Sequence, residues 1–319
     1  MTFILCVMVV YGLRTIHMLQ FSEGYITVNC LEKSRMIDRI DALKIAIQKE
    51  RLQGSQEQKP LHWFYLEGFT SYLDDPFEIR EAKARLHFYR NVPIKIFPGE
   101  AIVCQIDWDE PLACFISNTH IRTDILENIY QGNLAEEEKD RIRHMIEETR
   151  PFCFDPMKYL TEEERLVQES HLAPSIFFNG HMVPDYAYFL QHGFRGVLAE
   201  IQRYRNRQLT EEEQNFYDAM EITVEGLSLY IQRHADLAKR LLEEENPGYD
   251  PRQLQHIIQA CTRIAWEPVQ TFPEALQLMW FLICFVDYDS FGRTDQYLLP
   301  YYEASRNTGM ADAEALLWL

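Results

Sequence analysis

Apolar residues recur along most of this chain at spacings of three and four, the period of an α-helix with one buried face. The clearest run is Phe216, Met220, Val224, Leu227, Ile231, Ala235, Ala238 and Leu242. Thr210 and Glu213 stand at its head as a capping box, so a helix from Thr210 to about Glu245 is predicted, its stripe turned to the core. Asp250 and Pro251 open another helix as N-cap and first residue, with Leu254, Ile257, Ile258, Cys261 and Ile264 inward. Ser34 to Arg51 is mostly amphipathic and ends before a polar GSQEQKP linker. Asn133 is placed as the cap of a segment running from acidic to basic and ending at Arg150, the order a helix dipole favours. Asp185 is placed as the N-cap of a helix from Tyr186 to Arg207. Gly193 and Gly196 inside it sacrifice helix propensity, which implies close packing against a neighbour. Strand signals are fewer: a hairpin over Ile94 to Gln105 and a short run from Ser175 to Phe178. No internal repeat and no Pro/Gly-rich linker divides the chain. The pattern gives a predominantly helical fold with few strands, in one domain.

The stretch from Thr271 to Tyr302 departs from this amphipathic pattern. Thr271 and Glu274 bracket Pro273 in a first helical turn. A nearly all-apolar run, Leu276 to Val286, follows. About eleven residues is too short to cross a bilayer, so a helix buried on every side is predicted. Directly after it stand Asp287, Tyr288, Asp289, Ser290, Arg293, Asp295 and Gln296. Charged groups carried into an interior are costly unless they pair or bind something. Two readings follow: an ion-pair knot of Arg293 with Asp287 or Asp295, or the wall of a buried active site.

Bulk numbers narrow the function classes. A chain of 319 residues, 47% hydrophobic, can bury a large core. The net charge of -18, with no Lys/Arg-rich run, argues against a nucleic-acid partner. The seven cysteines are scattered and odd in number, with no CxxC, which suits free thiols in a reducing cytoplasm. Phe3 to Val10 is apolar but lacks a basic start and a clear cleavage site, and it is too short to span a membrane. The chain ends on Leu316, Leu317, Trp318 and Leu319 with no closing turn, an ending expected of a cut helix. Asp287 to Gly292 mimics the start of a calcium loop, but Phe291 and Leu298 stand where ligands would be needed, so no metal site is expected.

The segment from Thr271 to Tyr302 resembles the glycyl radical enzymes, the superfamily of pyruvate formate-lyase and the glycerol and diol dehydratases. The residues that carry the resemblance are Thr271, Phe272, Glu274 to Gln277, then Gly292, Arg293, Asp295, Gln296, Tyr297, Pro300, Tyr301 and Tyr302. NGHMVPDYAYFLQHGFRGVLAEI is a second match, with Gly180, His181, Asp185, Tyr186, Leu190, Gly193 and Gly196 in the family's places, and Ile94 to Gln105 a third. It runs from about Ser34 to the end and leaves residues 1–33 as an extension outside it.

The resemblance implies the N-terminal half of an α/β barrel: the first half-barrel plus surrounding helices. It also implies a reaction in which a glycyl radical near the C-terminus generates a cysteine thiyl radical that activates the substrate. The family's GCxEP and RVxGY loops are both missing here, so no catalytic cysteine or radical glycine is nominated. The radical would lie on a missing C-terminal segment, installed by an activating enzyme that uses S-adenosylmethionine and an iron–sulfur cluster. Substrate-binding candidates are His181, Asp287 and Tyr288. His181 aligns with a histidine that contacts the substrate hydroxyl in the glycerol dehydratase branch, against the plainer reading of a core histidine bonded to backbone. Asp287 and Tyr288 replace that branch's His-Ser pair, and a carboxylate there would suit an ammonium or several hydroxyls. Arg293, Asp295 and Gln296 are structural signature residues. The expected protein is an inactive portion of a cytoplasmic, anaerobic lyase or dehydratase, homodimeric when full-length, with a small-molecule substrate and the radical-activating enzyme as partners and neither nucleic acid nor membrane. The rival reading is a truncated, non-catalytic binding or scaffold relative. A helical hydrolase with paired carboxylates is a third, which no spacing singles out.

Overall fold

A computed structural model describes residues 41, 43–45, 61–104, 127, 130–131, 135–152, 160–170, 183–245, 248–285 and 290–310. Among them the chain is helical, in the order α1 (Leu61–Ser71), α2 (Phe77–Asn91), α3 (Glu136–Thr149), α4 (Glu162–Glu169), α5 (Tyr186–Arg205), α6 (Glu211–Glu243), α7 (Pro251–Ile264), α8 (Phe272–Phe285), α9 (Thr294–Tyr297) and α10 (Leu299–Asn307). Helix α2 packs along α6, α6 along α7, and α1 along α2. Residues 1–33, Ser175 to Phe178 and most of Ser34 to Arg51 lie outside the described residues.

Local chemistry sets most helix starts. Thr210 accepts from Glu213 N–H while the Glu213 carboxylate returns to Thr210 N–H, so two orphan donors are satisfied at the head of α6. Asp250 caps α7 with Pro251 at its first position. Thr271 and Glu274 repeat the box before α8, and Glu274 also takes Gln270 N–H at 2.7 Å. The acidic helix α3 begins one residue after Ala135, its N-cap, so Asn133 does not cap it; its register starts with the Glu136 to Glu138 run.

The α6 stripe is buried through its middle, where α2 and α7 flank it, but Phe216 is 53% exposed. At that end Tyr217 takes the inward place and packs against the core. The buried face also carries polar groups. His234 Nδ1–H donates to Tyr230 O (2.9 Å), between the Tyr230 and Phe281 rings. Burial holds its pKa down at about 4, so the imidazole is neutral inside the fold. Arg233 reaches the C-terminal carbonyls of α2, donating to Tyr89 O and Val92 O. Gly226 lets α2 come close, since a Cβ there would stand 3.0 Å from the Tyr89 ring.

Helix α8 lies at the centre. Only Glu274, Met279 and Trp280 keep partial exposure; the rest of Phe272–Phe285 is buried. The one amide among those buried side chains, Gln277, accepts Val103 N–H at 2.8 Å and donates to Val103 O at 2.9 Å. Residues 94–104 are irregular chain rather than the predicted hairpin strands. Side chains take the hydrogen bonds a partner strand would supply. Tyr249 Oη donates to Ile96 O, Gln253 serves Phe97, Gly99 and Glu100, and Trp280 Nε1 donates to Cys104 O at 2.6 Å. Cys104 takes φ 86°, a left-handed position that costs a non-glycine residue about 1–3 kcal/mol and persists only where neighbours fix it. Gln277 and Trp280 on either side of that carbonyl do so.

Helix α5 bends at Gly193 (φ 62°, ψ -179°). The bend releases Leu190 O and Arg195 N–H from the helix ladder. The 266–269 segment captures both: Val269 N–H donates to Leu190 O (3.1 Å) and Arg195 N–H to Trp266 O (2.9 Å). A Cβ at Gly193 would stand 2.6 Å from Glu267 C and Trp266 O, which confirms the close packing expected there. Gly193→Ala combines that backbone collision with positive-φ strain, and a loss of about 3 kcal/mol in equilibrium unfolding is expected. A loss below about 1 kcal/mol would show that the interlock carries no stability.

Candidate functional site

The signature segment begins at Ser290, five residues after the last residue of α8. Three tyrosines, Tyr186, Tyr297 and Tyr302, then fix the signature segment. Tyr186, the first residue of α5, stacks on Tyr297 at 5.0 Å and 22° and donates its hydroxyl to Ser290 O at 3.1 Å. Tyr297 Oη donates to Phe291 O at 2.7 Å, closing a turn around Gly292. Tyr302 meets Phe272 edge-on at 5.5 Å, and Ser305 Oγ accepts Phe272 N–H at 3.0 Å, tying α10 to the start of α8. Burial pushes the Tyr186 phenol up, out of reach of ordinary pH. It acts as a hydrogen-bond donor.

Arg293 and Asp295 form a two-pronged pair, Nε to Oδ1 at 2.8 Å and Nη2 to Oδ2 at 2.7 Å. The pair corrects one expectation. It lies at the surface of the described residues, the Arg293 side chain 68% exposed, and is no buried knot. The guanidinium lowers the Asp295 pKa and the carboxylate raises that of Arg293, each through their shared hydrogen bonds. Such an exposed pair contributes little to stability. Beside it a cleft of about 490 Å³ opens between the first turns of α5, the Gln270 approach to α8 and the short helices α9 and α10. Gln191, Gln270, Arg293, Gln296, Tyr297 and Tyr301 are among its lining residues: carboxamides, phenols and one internally neutralised cation. That lining can hydrogen-bond a neutral polar ligand in either sense.

His181, Asp287 and Tyr288 lie outside the described residues. Their flanks do not. A Cβ on Gly292 would stand 3.1 Å from Val183 Cγ1, so the chain two residues after His181 touches the chain four residues after Tyr288. The Tyr186 to Ser290 hydrogen bond repeats that adjacency. Sequence reasoning missed Tyr186 and Gln277 as organisers; the signals were a lone amide in an apolar helix and a tyrosine directly after a cap. Cys104, Cys261 and Cys284 are free and buried, and burial pushes the Cys261 and Cys284 thiols up, so neither is poised as a nucleophile. Among the described residues no group of three His, Cys, Asp or Glu could hold a metal ion, and no helix is long and apolar enough to cross a membrane.

The sequence profile of the pyruvate formate lyase-like proteins matches residues 36–317. The chain belongs to that family, within the glycyl radical enzymes. It is 26% identical over 299 residues to the probable dehydratase YbiW of Escherichia coli, covering 85% of this chain and 36% of that one. It is 30% identical over 151 residues to the (2S)-3-sulfopropanediol dehydratase of Klebsiella oxytoca, covering 44% of this chain and 18% of the relative. A solved structure of 1,2-propanediol dehydration in Roseburia inulinivorans superposes with TM-score 0.69 at 21% identity, over 93% of this chain and 39% of that chain. The chain therefore spans well under half the length of these relatives.

If the aromatic contacts hold the signature and the ion pair does not, Arg293→Ala leaves unfolding stability essentially unchanged. Tyr297→Ala, which removes the Tyr186 stack and the Phe291 bond, costs about 2–3 kcal/mol. Chemical denaturation of the two variants ranks them; the reverse order refutes this reading.

Proposed function

We propose that this chain supplies part of the substrate-binding wall of a glycyl radical lyase or dehydratase, with His181, Asp287 and Tyr288 facing one small-molecule site. The observation that carries the reading is the contact between the two flanks, Val183 against Gly292 and Tyr186 against Ser290. It leaves only a few residues of chain between each described contact and its candidate. The family's fold supplies the rest of the picture: the chain forms the first half-barrel with its surrounding helices, residues 1–33 stand outside it, and residues 34–319 make one domain.

In this reading the radical glycine and the reactive cysteine lie on polypeptide beyond these residues, and the pair supplies hydrogen-atom abstraction from the bound substrate. An activating enzyme that uses S-adenosylmethionine and an iron–sulfur cluster installs the radical in an anaerobic cytoplasm. The full-length form is a homodimer, and this chain alone is inactive. His181 donates to, or accepts from, a substrate hydroxyl. Asp287 selects. One relative acts on a sulfonated diol and one solved structure concerns a neutral diol. A carboxylate at 287 repels a sulfonate and favours a neutral polyol or a hydroxylated amine.

Ligand-observed NMR on the 319-residue chain tests the proposal with 1,2-propanediol, an amino alcohol and isethionate as probes. Binding of the first two, at least tenfold weaker in His181→Ala, with isethionate excluded until Asp287 is changed to Asn, is expected. Equal binding of isethionate to the unmodified chain, or no effect of either substitution, would overturn it.

A further inference from the structure

Glu100 is 7% exposed, and no described cation pairs with it. Its one hydrogen-bonded oxygen, Oε2, accepts Phe97 N–H at 2.7 Å, closing a tight turn in which Glu100 N–H donates to Phe97 O at 3.1 Å. The turn hangs on α7 and the segment before it. Gln253 Oε1 accepts Gly99 N–H (3.0 Å), Gln253 Nε2 donates to Phe97 O and Glu100 O, and Tyr249 Oη donates to Ile96 O (2.8 Å). None of these groups can neutralise a negative charge on Glu100.

We propose that the 96–100 turn is a proton-operated latch: with Glu100 as a neutral acid it closes against α7, and loss of that proton opens it. The charged form has one backbone donor and no counter-ion while the turn is closed, but is fully hydrated once the turn lifts away. Burial correspondingly pushes the Glu100 pKa up to about 8 from an ordinary 4.5, the Phe97 N–H lowering it only in part. The other titratable groups nearby do not change charge in this range. The Tyr249 phenol is raised by burial and by Glu100 itself. His256, one turn along α7 from Gln253, is held down at about 4 by burial and stays neutral. Lys95, on the same segment, makes an interaction of its own.

A group whose pKa is raised in the closed state favours closure at low pH, and that preference is lost as pH climbs toward the raised value. Opening therefore increases about tenfold per pH unit up to about 8 and levels off above it. The turn sits on the same strip of chain as Val103, which Gln277 holds from α8. The latch therefore frees one end of the strip and leaves the other anchored.

Amide hydrogen exchange of the whole chain between pH 6 and 9, corrected for intrinsic rates, tests it. Protection of Phe97 and Gly99 should fall about a hundredfold from pH 6 to 8 and then flatten, while Val103 and the α7 amides keep theirs. In Glu100→Gln, which is neutral at every pH, the Phe97 and Gly99 protection should not vary. Constant protection in the unmodified chain, parallel loss at Val103, or the same fall in Glu100→Gln would each overturn the proposal. Should that variant fail to fold, difference infrared spectroscopy of the unmodified chain decides. A buried carboxylic acid band that disappears with a midpoint near 8 supports the latch, and its absence above pH 6 refutes it.

Discussion

The placement of α8 constrains everything around it. Phe272–Phe285 is apolar on nearly every side, so it is stable only where other elements cover it, and α5, α6, α7, α10 and the 94–104 strip do so, leaving only Glu274, Met279 and Trp280 partly exposed. Each buried Phe or Leu contributes about 2–3 kcal/mol of transfer free energy, but that term is non-directional and cannot set the register of a strip of irregular chain. The Gln277 amide supplies direction. By pairing with both backbone groups of Val103 it does what one residue of a neighbouring strand would do, in a place where an unpaired N–H and C=O would be expensive. Trp280, one turn on, fixes the next carbonyl.

From that helix the signature segment inherits its position. Ser305 and Tyr302 bind the beginning of α8, and Tyr186 and Tyr297 clasp the chain just past its end. The bend at Gly193 makes the second clasp possible: it lets the first turns of α5 lean toward the signature while the rest of the helix runs along α6. The family resemblance and the packing therefore concern the same residues. The Gly, Tyr and Pro positions of the signature shape a turn and a cleft wall, and the Arg293–Asp295 pair orients locally at its rim.

Much of this was legible in the sequence wherever the governing interaction is local. Thr210 with Glu213, Asp250 with Pro251, Asp185 and Thr271 with Glu274 all cap as read, because a cap is decided by residues within one turn. The burial of α8 followed from its lack of any polar face. The errors share a different cause. The 94–104 strip reads as a hairpin around Pro98 and Gly99, yet the partners for its backbone are Gln253, Gln277 and Trp280, more than a hundred residues away, and no local pattern announces them. Phe216 continues the α6 stripe by period alone, but the stripe outruns the elements that cover it. Arg293 follows a buried helix in the sequence, yet the chain is already exposed at Ser290 and stays so through Arg293. Of the site itself, the sequence named His181, Asp287 and Tyr288 through family resemblance, and the fold contributes the nearness of their flanks.

The Gln277 clamp on Val103 can be measured directly by replacing Gln277 with Leu, which keeps the apolar volume of the helix and removes the amide. Equilibrium unfolding should show a loss of about 2–4 kcal/mol, because two buried backbone groups are left without partners, and the Val103 amide should lose its exchange protection while α6 keeps its own. A variant as stable as the parent, with Val103 still protected, would contradict the claim that this side-chain pairing organises the fold around α8.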